Sequence, residues 1–132
     1  MSILLRLGFL AGIIVSFAAE AIGNPGPIEV KVNQRVTLIG TLRSGTYNDC
    51  CSDGKVRNLP FYAVHLSRPI LFVGPSQGWG PLRDVQLGGF QKSSCGSQLI
   101  GRQVTVQCER IWDSITGHYA EHAWCDDAKI VP

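Results

Sequence analysis

Beyond residue 27 the chain reads as strand throughout, with apolar and polar residues alternating with period two in several stretches, and glycine, proline and asparagine clusters separate those stretches at short intervals. That pattern restricts the fold more than any other feature. Ile28 to Val32, Val36 to Leu42 and Val104 to Trp112 alternate, while Phe61 to Leu66 and Ile70 to Val73 are largely apolar. Between them lie Ser44-Gly45-Thr46-Tyr47-Asn48-Asp49, Ser52-Asp53-Gly54, the Gly74 to Pro81 run and Gly88-Gly89, whose turn chemistry argues against continuing a strand. A helix fits only as one or two turns near Ser93 to Ile100, closed by Gly101 at the position of a C-terminal cap. The expected fold class is therefore all-β. Five strands with one short helix between the third and fourth predict a small Greek-key barrel of the oligonucleotide/oligosaccharide-binding (OB) type, in preference to an open sandwich. The expected strands are Arg35 to Arg43, Phe61 to Ser67, Ile70 to Leu87 with a long interruption, Gln103 to Trp112, and Ala120 to Val131. Gly40 is expected where the first strand must bend.

The 132 residues divide at the start of this pattern. Arg6 precedes an apolar run from Leu7 to Ala19, and Ala19-Glu20-Ala21 presents small residues where a signal peptidase reads, so residues 1–21 are read as a removable signal peptide. The run falls short of the ~20 apolar residues a membrane span needs, so no stable membrane insertion is expected. Residues 22–34 read as a flexible leader and first-strand extension, and 35–132 as a single barrel domain. A periplasmic or secreted location follows, and it permits disulfides.

Charge narrows the partners. The formal net charge is +2. Arg43, Lys55, Arg57, Arg68, Arg83, Lys92, Arg102 and Arg110 are scattered singly, whereas a nucleic-acid binder concentrates its bases on one face, so no nucleic-acid partner is expected.

Five cysteines leave an odd thiol. The midpoint of Cys108 and Cys125 falls on Thr116-Gly117, which would place the two opposite each other in the hairpin of the last two expected strands, within bridging distance. In the expected topology the loop with Cys50 and Cys51 emerges at the same end as Cys95, so one of that pair is expected to bridge Cys95. The other remains unpaired and offers a route to a disulfide-linked homodimer. A vicinal Cys50–Cys51 bridge would be strained, and no histidine in the neighbouring sequence would activate either as a nucleophile.

The densest chemistry lies in Thr116-Gly117-His118-Tyr119-Ala120-Glu121-His122 and the following Cys125, Asp126 and Asp127. His118 and His122 with Asp113, Glu121 or Asp126 could hold a metal or form a metal-dependent hydrolase, but the His-x3-His spacing suits a helix face and this segment reads as a turn. The expectation is no enzyme, no cofactor and no metal. Tyr62, Phe61, His65 and Trp79 could instead furnish a stacking surface beside the loops at Tyr47 to Leu59 and Ser114 to His122. The expected ligand-contacting residues are Tyr62, His65, Trp79, Thr116, His118, Tyr119 and His122. The expected role is that of a binding module, of the inhibitor or immunity type, directed at an envelope or extracellular protein. The alternatives are the metal-dependent protein and a structural envelope protein dimerising through the odd cysteine.

A family resemblance runs through the same segments. Gly40-Thr41-Leu42, Tyr62-Ala63-Val64-His65-Leu66-Ser67-Arg68-Pro69-Ile70, Leu99-Ile100-Gly101-Arg102-Gln103-Val104-Thr105-Val106 and Thr116-Gly117-His118-Tyr119 resemble the bacterial family called domain of unknown function 4431. That family pairs a G-x-L first strand with Y-x-L-x-L-x-x-P-I, L-x-G-K-x-V and a T-G-H-H turn. Arg102 stands at the family's lysine and Tyr119 at its second histidine. The resemblance implies secretion and a small β-barrel, and brings no established activity with it.

Overall fold

The computed structural model describes residues 26–50, 54–90, 97–114 and 120–131. The expected signal peptide, Cys51, Cys95, Thr116, His118 and Tyr119 lie outside the described residues, as does any bridge from Cys50 or Cys51 to Cys95. The elements are β1 (Ile28–Val30), β2 (Gln34–Cys50), β3 (Val56–Phe72), β4 (Leu82–Leu87), α1 (Ser97–Leu99), β5 (Gln103–Asp113), β6 (Ala123–Asp126) and β7 (Lys129–Val131). The described residues are mostly β, and their one helix is a single turn followed by Gly101 at φ 86°. Among the described residues, no helix is long and apolar enough to cross a membrane.

Pairing is ring-like. β2 pairs with β3, β3 with β4, β4 with β6, β6 with β5, and β5 again with β2; the β4–β6 pair is parallel and the others antiparallel. The ring works because β2 changes partners along its length. Residues from Gln34 to Thr41 pair with β5 and those from Gly40 to Cys50 pair with β3, so Gly40 and Thr41 alone are paired on both sides. Glycine is required at the handover. A Cβ on Gly40 would lie 2.7 Å from the carbonyl carbon of His65 and 2.8 Å from the Cα of Leu66, closer than any side chain tolerates. The inward residues are Leu38 and Leu42 of β2, Val64, Leu66, Ile70 and Phe72 of β3, Val85 and Leu87 of β4, Val104, Val106 and Ile111 of β5, and Ala123 of β6. Within each strand they fall at even spacings, Ile111 excepted, and this is the alternation seen in the sequence.

Five expectations need correction. The Ser44 to Asp49 cluster is strand, paired with β3 from Asn48↔Asn58 to Ser44↔Tyr62, because a full cross-strand ladder outweighs local turn preference. Ile70 to Phe72 end β3 and do not begin the next strand: Ile70 pairs with Leu82 on one side and with Ile28 of β1 on the other. β1 is thus a parallel strand on the side that β2 has left, separated from β2 by a turn with Asn33 at φ 74°, and is not an extension of the first strand. The last expected strand is two, β6 and β7, divided at Asp127 with φ 51°.

The fifth correction concerns the disulfide. Cys108 and Cys125 are bonded, with Cα atoms 5.5 Å apart and both side chains fully buried, but they are not opposite each other. Cys125 pairs with Ile111. On the β2 side Val36 faces Cys108 and Gln34 faces Ile111, so β5 sets two residues, Glu109 and Arg110, against Arg35 alone. This extra residue reverses the alternation, turning both Cys108 and Ile111 inward, and the bridge crosses the interior on a diagonal.

Beside this bulge Arg35 Nη2 lies 2.6 Å from Glu109 Oε1, both exposed. The hydrogen bond from Arg35 and then its charge hold the Glu109 carboxyl below its usual range. The fold favours the ionised form, so the contribution is present above the unfolded-state pKa and disappears as pH falls through the folded one. A carbon-detected NMR titration is expected to place Glu109 below an ordinary glutamate, and Arg35→Gln to return it there. An unchanged Glu109 midpoint in that variant would contradict the assignment.

Candidate functional site

The outward residues of β2, β3 and β4 form the base of the site. Arg43, Ala63 and Gln86 occupy one cross-strand row, Thr41, His65 and Asp84 the next, and Gly45 and Phe61 the one beyond. Arg43 joins three elements: its Nε donates to Asp84 Oδ1 at 3.0 Å, its Nη2 donates to Glu121 Oε2, and its Cζ stands 5.5 Å from the centre of the Phe61 ring. Partial burial works against the guanidinium charge, yet the hydrogen bonds to Asp84 and Glu121 and their negative charges offset this, and the Arg43 pKa is raised. His65 Nδ1 lies 3.0 Å from the same Asp84 oxygen. Gln86 is the buried polar side chain of this face. Its Oε1 accepts from the backbone N–H of Ala120 at 2.6 Å and of Glu121 at 3.2 Å, which ties the approach to β6 onto β4 and delivers Glu121 to Arg43.

Beyond the last β3–β4 pair, Ala63↔Gln86, the β2–β3 hairpin and β4 separate and a cleft of about 520 Å³ opens. Tyr47, Pro60, Phe61 and Tyr62 line one side, and Gln86 to Phe90 with Trp124 line the other. Its rings are held in edge-to-face pairs, Tyr47 on Phe61 at 5.8 Å and Tyr62 on Phe90 at 5.0 Å between centres. Trp124 lies across Gly88, where a Cβ would come within 2.7 Å of its Cε2, so the absence of a side chain there creates the seat of the indole. Glycine 45 does the same for Phe61, whose Cε1 is 3.0 Å from the Cβ position.

The structure distributes the sequence-expected residues over this surface. Tyr62 lines the cleft and His65 borders the Arg43 cluster. Trp79 and His122 meet each other: their rings stack at 3.8 Å between centres and 19° between planes. Around that stack the Gln77 N–H donates to Asp113 Oδ2 at 2.6 Å and the Ser114 N–H to the His122 carbonyl at 2.7 Å, so the segment before β4 is fastened to the base of the β5–β6 connection. Trp79 Nε1 is buried without a hydrogen-bond partner among the described residues. Among the described residues, no group of three or more His, Cys, Asp and Glu side chains is arranged to hold a metal ion. Sequence reasoning did not single out Arg43, Asp84, Gln86 or Trp124. Strand parity was the available signal, since Arg43 and Phe61 are both an odd number of residues from the inward Leu42 and Val64.

Comparison of the chain with protein-family models, with curated proteins and with solved structures returned no match.

Proposed function

We propose that this chain is an exported binding module, a small Greek-key barrel of the OB type that docks a protein of the envelope or exterior in the manner of an inhibitor or immunity protein. The carrying observation is the aromatic cleft between the β2–β3 hairpin and Gln86 to Phe90, beside the Arg43–Asp84–Glu121 cluster. Rings already ordered by edge-to-face packing and glycine seats lose little freedom on meeting a partner, and preorganised aromatic surface is what protein interfaces use for affinity. The barrel reading is supported by the ring order, with its parallel closure between the third and fifth ring strands, β4 and β6. In barrels of this type the second and third strands, with the first–second and fourth–fifth loops, make the ligand face. Here those strands are β3 and β4, and the cleft and the Trp79–His122 stack lie beside those two connections. Export is supported by the sequence of residues 1–21 and by the Cys108–Cys125 bridge, which an oxidising compartment favours.

The test is capture from envelope fractions with the tagged, secreted chain. A stoichiometric protein is expected with the wild type, and Phe61→Ala, which strips the cleft of its central ring, is expected to cut recovery at least tenfold, the loss a central aromatic anchor typically brings. Equal recovery by Phe61→Ala, or no partner in either case, would remove this reading.

A further inference from the structure

The outer face of β5 and β6 continues the same surface and carries a second cleft, of about 350 Å³, lined by Trp112, Asp113, Ser114, Trp124 and Asp126. Trp112 and Trp124 are direct cross-strand partners. Both indole N–H groups donate to one carboxylate: Trp112 Nε1 to Asp126 Oδ2 at 2.7 Å and Trp124 Nε1 to Asp126 Oδ1 at 2.6 Å. With Trp124 also seated on Gly88, these rings are fixed in place at the surface of the sheet.

Charge indicates what such a surface accepts. Around the two clefts stand Asp84, Asp113, Glu121 and Asp126, against the guanidinium groups of Arg43 and Arg110. The chain as a whole has a formal net charge of +2, so this face is acidic on a protein that is otherwise basic. A carboxylate accepting from an indole N–H drives electron density into the ring, which makes its faces more attractive to a cation. The protein already uses that attraction within itself: Arg110 Cζ stands 5.8 Å from the Trp112 ring centre, as Arg43 stands over Phe61.

We infer that the cleft between Trp112 and Trp124 receives an arginine or lysine side chain from a basic segment of the protein partner. This deepens the binding-module reading and rests on it. Asp113 supplies the countercharge, since Asp126 is already paired with Arg110 at 3.4 Å; Trp112 and Trp124 supply the walls, and the larger aromatic cleft beyond Trp124 takes the apolar residues flanking the basic one.

The experiment titrates the full mature chain with the peptide Ac-Gly-Arg-Gly-Arg-Gly-NH2 and its glutamine counterpart, following tryptophan emission. The arginine peptide is expected to bind at least tenfold more tightly at low ionic strength, with the gap narrowing as salt screens the carboxylates. Trp112→Ala is expected to abolish the difference. Asp113→Asn keeps an acceptor for the Gln77 N–H while removing one charge, so it leaves the fold intact and is expected to weaken the arginine peptide about threefold, in line with one exposed charge pair. Equal affinity for both peptides, unchanged affinity in Asp113→Asn, or preferential binding of a neutral oligosaccharide such as chitotriose would each overturn the inference. If the arginine peptide fails while Phe61→Ala still abolishes envelope capture, the basic-segment inference falls and the binding module stands.

Discussion

Gly40→Ala lowers the thermal midpoint by roughly 10–20 °C or prevents accumulation of folded protein. A methyl group there meets the main chain of His65 and Leu66, and no rotamer change can move a backbone aside. The neighbouring strands cannot retreat either, because Gly40 is paired with Leu66 on one side and Val104 on the other. Relief therefore requires opening the ring where β2 changes partners. Overpacking of this kind costs about 3 kcal/mol or more, against a typical margin of about 5–15 kcal/mol. At about 4–8 °C per kcal/mol for a domain of this size, the shift is large enough for a single far-UV circular dichroism melt to read. Gly80→Ala is the matched control, since its Cβ position has nothing within 4 Å. A Gly40→Ala midpoint within a few degrees of Gly80→Ala would refute the close-approach argument.

Removal of the Cys108–Cys125 bridge is expected to cost about 3 kcal/mol, the value for a loop with a sequence separation of 17 residues. Urea unfolding of the Cys108→Ala/Cys125→Ala variant should give an extrapolated unfolding free energy lower by that amount, and reductant should bring the wild type towards it while leaving the variant unmoved. Serine at the same positions should be worse than alanine, because both side chains are fully buried and each hydroxyl would need a partner. The diagonal placement has a specific corollary. Deleting Arg110 removes the extra residue of β5, turns one of Cys108 and Ile111 outward, and should destabilise by more than loss of the bridge alone. Reductant-insensitive stability in the wild type would show that the bond contributes nothing.

Sequence alternation made the strands and the core legible, since burial of one face leaves a period-two record in every strand that lines it. It also located Gly40, because a bend that admits no side chain leaves a glycine behind. Two kinds of information were not there to read. Pairing can override local preference: Ser44 to Asp49 carries the residues of a turn and lies in a strand because β3 supplies a ladder along its whole length. Register at a bulge depends on both strands, so the number of residues between Cys108 and Cys125 could suggest their bond but not the Cys125↔Ile111 pairing that positions it. The site shows the same limit. Trp79 and His122 stand out as residue types, but the contacts among Arg43, Asp84 and Glu121 join positions separated by 41 and 78 residues, and no local spacing encodes them.

The order in which the strands enter the ring governs how the protein must be made. β2, β3 and β4 can pair as they emerge from a ribosome or translocon, yet β2 stays half unpaired until β5 arrives and β4 has no second neighbour until β6 follows it. Closure is parallel and non-local, joining Val85–Leu87 to Ala123–Cys125, the kind of contact that makes folding slow. During that interval Leu38, Val85 and Val106 are solvated, and Cys108 waits as a thiol for a partner synthesised 17 residues later. Before β6 has docked Cys108 lacks its native mate, so the Cys108–Cys125 bond belongs to a late step of folding.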